Sequence, residues 1–261
     1  MQNKRDWIFC REHNFNKGLN YYQSLWDLWN PNIHKVALEA SPGYTRVTHQ
    51  KLLNSAKNIA EVKAKTRANF KFIYIMRDPI LRIESHYTQG RKHQHKDTAK
   101  PLSEGIQAEI LDTSKYAMQL EEYYNRFPRE SILLLNFEFF KQEPLIILKQ
   151  VCKFLDLDET YQFPQLDINH NKYTSEINRV AIPGYQSLRK TQVAHSLIQE
   201  MPDNIKQKLH FVRNLLSRKV KNEYVKLSLE QKRYILNELQ EDLNILEQKY
   251  QFDTSSWNLN I

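Results

Sequence analysis

The sequence predicts an α/β fold in which a parallel sheet is flanked by helices and followed by a helical C-terminal part. Two nearly continuous apolar runs, residues 70–76 and 131–137, have the composition of parallel strands that are covered on both faces. Stretches with apolar residues at helical spacing alternate with these runs, as in parallel α/β sheets. Residues 1–261 contain no internal repeat or low-complexity linker. We therefore expect a single domain, with an α/β part over residues 1–160 and a loop-rich, then helical part over residues 161–261.

Local patterns predict the first elements in order. Residues 35–39 form a short β-competent run that ends at a Ser-Pro-Gly turn signal, and residues 50–66 carry apolar side chains at helical spacing. A buried strand is expected at residues 70–76. Directly after it, Asp78 can cap a helix that ends at Gly90.

The later elements are predicted to be mostly helical. Residues 114–126 place several tyrosines and a leucine on one side, and Pro144 has the position of a first helical residue before an apolar stripe. Residues 203–250 are charged and amphipathic, and we expect them to be largely helical. Within them, residues 227–250 are predicted to form a surface helix packed on the sheet.

Composition and charge limit the classes of function. The formal net charge of +8 predicts affinity for anions such as nucleic acid, acidic glycans or a phosphorylated nucleotide. The chain has no apolar run that could span a bilayer and no apolar signal-peptide core near its start, so a cytoplasmic location is expected. Two cysteines fit a reducing compartment, and five glycines nearly exclude a glycine-rich phosphate loop.

The stretch that carries chemistry begins where the strand at residues 70–76 ends. Ligands of open α/β sheets bind outside the carboxyl ends of the strands, and Arg77 is expected at such an end. Its guanidinium can hold a phosphate through two parallel hydrogen bonds. Ser85 follows on the next helix, on a face separate from the apolar stripe, and can supply a second donor. A purely structural role for both residues is the competing interpretation.

Several motifs in this order resemble those of sulfotransferases that use 3′-phosphoadenosine 5′-phosphosulfate (PAPS), in particular the branch with the heparan sulfate sulfotransferases and their bacterial relatives. The most specific of them is R-D-P-x-x-R-x-x-S-x-Y at residues 77–87. The other segments resemble K-G-x-x-W-Y, E-x-S-P-x-Y and a block containing F-P-R-E and F-E, and they lie at residues 17–26, 39–44 and 116–144.

This resemblance implies a P-loop-type parallel sheet and transfer of a sulfonate group from PAPS to a hydroxyl or amine acceptor. It also implies that Arg77 and Ser85 bind the 3′-phosphate of PAPS and that no metal is needed. Members of the family normally begin with a strand and a K-x-G-T-[ST] loop that cradles the 5′-phosphosulfate, and this sequence contains no such loop. We therefore expect a fold that lacks this first strand and loop, and either an impaired enzyme or a non-catalytic remnant that binds a nucleotide or an acidic partner.

The resemblance leaves the catalytic base open. In the similar branch the base is a glutamate, and alignment from Gly18 places Arg5 there, whereas a shift of one residue places Asp6 there. Asp6 is the predicted base because a carboxylate can take the acceptor's proton. An N-terminal aspartate without a role and Glu39 as another carboxylate near the site are the alternatives. Ala40 stands where glycan-modifying members often carry lysine, so a heparan-type acceptor is not implied.

Other candidates are weaker. His93 and His95 lack the companion ligands of a metal site, and we interpret their surroundings as a basic loop. The basic stretch at residues 206–226, predicted to be helical, gives the second alternative function, nucleic-acid binding, although no nucleic-acid-binding motif accompanies it. Trp257 is expected to pack against the last helix rather than stack on adenine.

Overall fold

The structure is a computed structural model. It describes residues 9, 12–41, 43–48, 51–52, 55–66, 68–93, 102, 105–164, 176–180, 201–221 and 223–260. The helices are α1 (Glu12–Phe15), α2 (Gly18–Ser24), α3 (Ser55–Thr66), α4 (Pro79–His93), α5 (Ala108–Asp112), α6 (Tyr116–Tyr124), α7 (Phe137–Gln142), α8 (Pro144–Phe154), α9 (Asp203–Leu215) and α10 (Leu229–Gln248). The strands are β1 (Val47–Thr48), β2 (Lys51–Leu52), β3 (Phe72–Met76), β4 (Ile132–Asn136), β5 (Glu176–Val180) and β6 (Ser217–Lys221).

The parallel pair β3–β4 is the structural centre of the first part. The two strands pair in register from Phe72 opposite Ile132 to Met76 opposite Asn136, so the predicted parallel sheet is confirmed. Within the described residues, β4 is the partner of β3, and the other edge of β3 has none. Ile75 of β3 is 47% exposed, which is unusual for a strand of a covered parallel sheet.

The strand predicted at residues 35–39 is wrong. Residues 36–40 have no regular secondary structure, although the Ser-Pro-Gly sequence after them is followed by a turn at residues 43–45. A β-strand needs a neighbouring strand to pair its backbone groups, and none of the described strands lies beside this segment. The residues have β propensity, but none of the described strands forms backbone hydrogen bonds with them.

Two further corrections concern short antiparallel pairs. Strand β2, which pairs with β1, lies inside the region predicted to be one helix over residues 50–66, and α3 begins at Ser55. In the region predicted to be mostly helical, residues 217–221 form β6, which pairs with β5, and residues 223–228 are irregular. The basic stretch at residues 206–226 is therefore part helix, part strand and part loop.

The larger core cluster joins the sheet to the C-terminal part. It is formed by buried apolar side chains from β3, α4, α5, α6, α10 and the last residues, among them Met76, Ile83, Leu120, Leu239 and Trp257. Trp257 is buried against Tyr116 and Phe252, which confirms that it packs in the core. A second cluster packs α3 and α6 around residues that include Phe9, Ile59, Phe127 and Ile132.

Helix α10 also provides the cap for α6. Lys115 precedes α6 and makes no side-chain capping bond, so the first amide groups of the helix need another acceptor. Asp242 supplies it from α10: its carboxylate accepts the N–H of Ala117 at 3.0 Å and that of Met118 at 2.8 Å. Burial raises the pKa of Asp242, while these two backbone donors oppose the rise. The C-terminal helix is thus fixed to the α/β part by polar as well as apolar contacts.

We expect Asp242→Ala to lower the free energy of unfolding by about 1–3 kcal/mol, because it leaves one buried and one partly buried backbone donor without an acceptor. Urea denaturation followed by circular dichroism measures the change. The control is Glu241→Ala, which alters the adjacent exposed residue of the same helix. Equal losses for the two variants would contradict a capping role.

Candidate functional site

The candidate site lies where β3 and β4 end. Because the strands are parallel and in register, their carboxyl ends meet at one edge, and Arg77 lies beside the start of α7. The side chain of Asn136 caps α7 by accepting the N–H groups of Glu138 at 2.9 Å and Phe139 at 3.3 Å. This cap turns the chain directly from strand to helix, which places Glu138 next to Arg77.

Arg77 is anchored on one side and accessible on another. Its Nε lies 3.6 Å from Oε1 of Glu138, and its guanidinium carbon lies 5.5 Å from the ring centroid of Phe137. Its backbone carbonyl accepts a hydrogen bond of 2.6 Å from the Tyr116 hydroxyl, a group whose pKa is raised by burial. The side chain nevertheless stays 30% exposed, so the ion pair does not withdraw it fully from solvent.

Glu138 is a buried charged group at this edge. Its side chain is 9% exposed, and its Oε2 accepts the backbone N–H of Asp78 at 3.1 Å. Its Oε1 and the Nε of Arg77 are both buried, and neither has a hydrogen-bond partner among the described residues. The carboxylate therefore joins the end of β3 to the start of α7 and faces the inner edge of the guanidinium.

Asp78 fixes the start of α4. Its Oδ1 accepts the N–H groups of Ile80 at 2.8 Å and Leu81 at 3.1 Å, which confirms the predicted cap. Its Oδ2 accepts the N–H of Asn258 at 3.0 Å and so joins the C-terminal segment to the site. Helix α4 extends beyond the predicted end at Gly90.

Ser85 lies two turns into α4. Ile83 and Tyr87 on this helix are fully buried, and helical spacing places Ser85 on the side opposite Ile83. Ser85 is half-buried, and Arg82 on the same side donates a hydrogen bond of 3.0 Å to Ser114. The polar face predicted for α4 is therefore present, while a shared ligand of Arg77 and Ser85 stays a prediction.

Tyr224 adds a contact from the C-terminal part. Its hydroxyl interacts with Glu84 and with Arg77. Burial raises its pKa, the Glu84 carboxylate raises it further, and the Arg77 cation opposes the rise. Glu84 is 5% exposed and accepts the N–H of Leu227 at 3.0 Å. Arg77 thus interacts with Glu138 and with the Tyr224–Glu84 pair.

Glu39 lies in a separate tyrosine cluster. The hydroxyl of Tyr44 donates a hydrogen bond to one carboxylate oxygen, and that of Tyr22 donates to the other at 3.3 Å. The residue is at the surface, but the carboxylate lies between these side chains, and the loss of surrounding water raises its pKa. The two hydroxyl donors oppose this rise because they stabilise the charged form.

Some predicted residues lie outside the described part of the chain. These are Asp6, Arg5 and His95, and the side chain of His93 is also outside it. Their placement stays a prediction. Among the described residues, no group of three or more His, Cys, Asp or Glu side chains is arranged to hold a metal ion. Of the helices that the structure describes, none is both long enough and apolar enough to cross a membrane.

The described part of the chain contains two further cavities. One of about 820 Å³ runs along β4 between α8 and the chain after α10, with a lining that includes Arg129, Asn136 and Tyr250. The other, of about 460 Å³, lies between the Lys17–Gly18 turn and α3. Neither lining includes Arg77 or Ser85.

Sequence reasoning assigned no role to Glu138, Glu84 or Tyr224. A usable signal existed for Glu138, because its position just after a parallel strand adjacent to β3 predicts a neighbour of Arg77. No local sequence pattern predicts the contact of Tyr224 with Arg77 and Glu84. It depends on an irregular segment folding back across α4 from more than half the chain away.

Comparison with known proteins identifies the family. A sequence model of the sulfotransferase family matches residues 1–161, well over half of the chain. The protein therefore belongs to the sulfotransferase family, as the motifs predicted. Arg77, Ser85 and Glu138 all lie in the matched part, and Tyr224 lies beyond it.

Two curated relatives are similar over part of their length. Human heparan sulfate glucosamine 3-O-sulfotransferase 5 is 27% identical over 162 residues, which cover 58% of this chain and 44% of the relative. Luciferin sulfotransferase of Photinus pyralis is 28% identical over 133 residues, 50% of this chain and 35% of the relative. The matched part of the chain thus spans less than half the length of either relative.

A solved structure is similar in fold. The crystal structure of a sulfotransferase from Alicyclobacillus acidocaldarius superposes with a TM-score of 0.54 at 15% identity, covering 92% of this chain and 74% of that one. This similarity extends past residue 161 into the C-terminal part. The predicted fold class, a P-loop-type parallel sheet flanked by helices, is confirmed.

We expect Tyr44→Phe to raise the pKa of Glu39, because the variant removes a hydrogen bond that stabilises the carboxylate. Carboxyl carbon chemical shifts followed against pH by NMR report this titration. Tyr161→Phe, which removes the hydroxyl of an exposed tyrosine, is the control and should leave it unchanged. A Glu39 pKa that falls or stays constant in Tyr44→Phe would show that the contact does not stabilise the charged form.

Proposed function

We propose that this protein transfers a sulfonate group from PAPS to a hydroxyl or amine acceptor, and that Arg77 and Ser85 bind the 3′-phosphate of PAPS. The observation that carries the proposal is the partly exposed guanidinium at the carboxyl edge of a parallel sheet, in a chain of the sulfotransferase family. Both similar curated proteins are named for sulfonate transfer, one to a glucosamine of heparan sulfate and one to luciferin. Because these two relatives are named for different acceptors, the acceptor of this protein is to be identified by experiment.

The hydrogen-bond donors at the carboxyl edge of β3 and β4 suit a phosphate group. A guanidinium presents donors in a planar fork that matches two phosphate oxygens, and the charge makes these hydrogen bonds strong. Ser85 adds a neutral donor on the side of α4 away from the core. The net charge of +8 favours the approach of a highly charged nucleotide.

The transfer itself forms a bond between the acceptor oxygen or nitrogen and sulfur, and breaks the bond between sulfur and the phosphosulfate oxygen. The acceptor must lose its proton as it attacks, and donors must stabilise the charge on the leaving group. We propose Asp6 as the group that takes the proton. Glu39 is the alternative, since its raised pKa lies closer to neutrality than that of an ordinary glutamate.

We expect Arg77→Ala to weaken binding of 3′-phosphoadenosine 5′-phosphate about 10- to 100-fold, the equivalent of about 1.5–3 kcal/mol for hydrogen bonds to a charged group. Ser85→Ala should weaken it less, because it removes one neutral donor. Isothermal titration calorimetry measures both, with adenosine 5′-phosphate as the ligand that lacks the 3′-phosphate. Arg233→Ala, an exposed arginine on α10, is the control variant. Loss of affinity for both nucleotides alike would contradict a 3′-phosphate site.

We expect Asp6→Asn to abolish sulfonate transfer and to leave the binding of 3′-phosphoadenosine 5′-phosphate unchanged, because the amide keeps the shape but cannot take a proton. Single-turnover transfer from labelled PAPS to a panel of hydroxyl and amine acceptors measures the first effect. Full activity of Asp6→Asn together with inactive Glu39→Gln would assign the base to Glu39. If the unmodified protein binds the nucleotide but transfers nothing to any acceptor, it is a non-catalytic remnant.

A further inference from the structure

We propose that Glu138 is a positioning residue for Arg77: it holds the Nε edge of the guanidinium so that the opposite edge is presented to the 3′-phosphate. This inference rests on the proposed function, and it assigns a role to a residue that does not itself touch the nucleotide. Three features support it, namely the geometry of the pair, the attachment of Glu138 and the second contact to Arg77 from Tyr224.

Glu138 contacts the Nε edge of the Arg77 guanidinium. Oε1 of Glu138 faces Nε of Arg77 at 3.6 Å, and both atoms are fully withdrawn from solvent. Since Nε is buried while the side chain is 30% exposed, the exposed surface belongs to other atoms of Arg77. A guanidinium has a second pair of donors on the edge away from Nε, which can bind a phosphate while the first edge faces a carboxylate.

The side chain of Glu138 is itself restrained by its contacts and by burial. Its other oxygen accepts the backbone N–H of Asp78 at 3.1 Å, and its own N–H is donated to the cap residue Asn136 at 2.9 Å. The side chain is almost completely buried, so few other rotamers are open to it. The carboxylate is thereby fixed to both strand ends, and the direction of Arg77 follows from it.

A second contact, from Tyr224, also restrains Arg77. Tyr224 interacts with both Arg77 and the buried carboxylate of Glu84. Two restraints reduce the conformations that a long side chain can occupy before the ligand arrives. Less entropy is then lost on binding, which is the advantage of a preorganised site.

The test compares two nucleotides in the variant Glu138→Gln. Glutamine has nearly the same shape and keeps an acceptor for the Asp78 N–H, but it lacks the charge that holds Arg77. We expect affinity for 3′-phosphoadenosine 5′-phosphate to fall about tenfold, as when a charge-assisted hydrogen bond loses its alignment. Affinity for adenosine 5′-phosphate should stay within about twofold, because this ligand lacks the 3′-phosphate that Arg77 is proposed to bind.

Glu143→Gln, an exposed glutamate at the end of α7, is the matched control and should change neither affinity. Thermal unfolding checks that the variants are folded. Unchanged or tighter binding of 3′-phosphoadenosine 5′-phosphate by Glu138→Gln would overturn the inference, since Glu138 would then only reduce the positive charge at the site. An equal loss for both nucleotides would overturn it as well, because it would indicate a general structural role.

The same measurements separate this inference from the proposed function. If the unmodified protein binds the two nucleotides equally, the 3′-phosphate site itself is wrong and the inference falls with it. If the unmodified protein prefers the 3′-phosphate and Glu138→Gln keeps that preference, the proposed function stands and the positioning role alone is rejected.

Discussion

The parallel pairing of β3 with β4 is the constraint on which the rest of the site depends. Because the strands run in the same direction and in register, Met76 lies opposite Asn136, and the residues that follow them meet at one edge. Caps on both sides then convert the strand ends into helix starts, with Asp78 capping α4 and Asn136 capping α7. A shift of one residue in this register would move Glu138 away from Arg77 and point alternate strand side chains to the wrong face.

The charges at this edge are arranged around one cation. Glu138 faces Arg77 from α7, and Glu84 reaches it through Tyr224 from α4 and the C-terminal part. A buried carboxylate without a partner is costly, so each of these groups also accepts a backbone N–H, from Asp78 and Leu227 respectively. The arrangement restrains Arg77 without covering it, as a surface for an incoming phosphate requires.

The sequence predicted the parts of the fold that depend on local pattern. The apolar runs gave β3 and β4, and Asp78 and Pro144 marked the starts of α4 and α8 correctly. The predicted strand at residues 35–39 failed because a strand exists only where another strand pairs with it. The predicted helix across residues 217–221 failed because pairing with β5 outweighs the helical pattern of charged residues.

The candidate site likewise contains residues that local sequence pattern predicts and contacts that it does not predict. Arg77 was placed correctly because its position follows from the strand before it. The contact of Tyr224 could not be predicted, since it arises from the path of an irregular segment over α4. Likewise, Asp242 caps α6 from a helix more than a hundred residues away, and such a cap leaves no local pattern in the sequence.

The most direct test of the account is a crystal structure of the protein with bound 3′-phosphoadenosine 5′-phosphate. The account predicts that 3′-phosphate oxygens lie within hydrogen-bond distance of the outer edge of the Arg77 guanidinium and of the Ser85 hydroxyl, with Glu138 still beside Nε. A nucleotide bound elsewhere, or one whose 3′-phosphate contacts neither Arg77 nor Ser85, would contradict it.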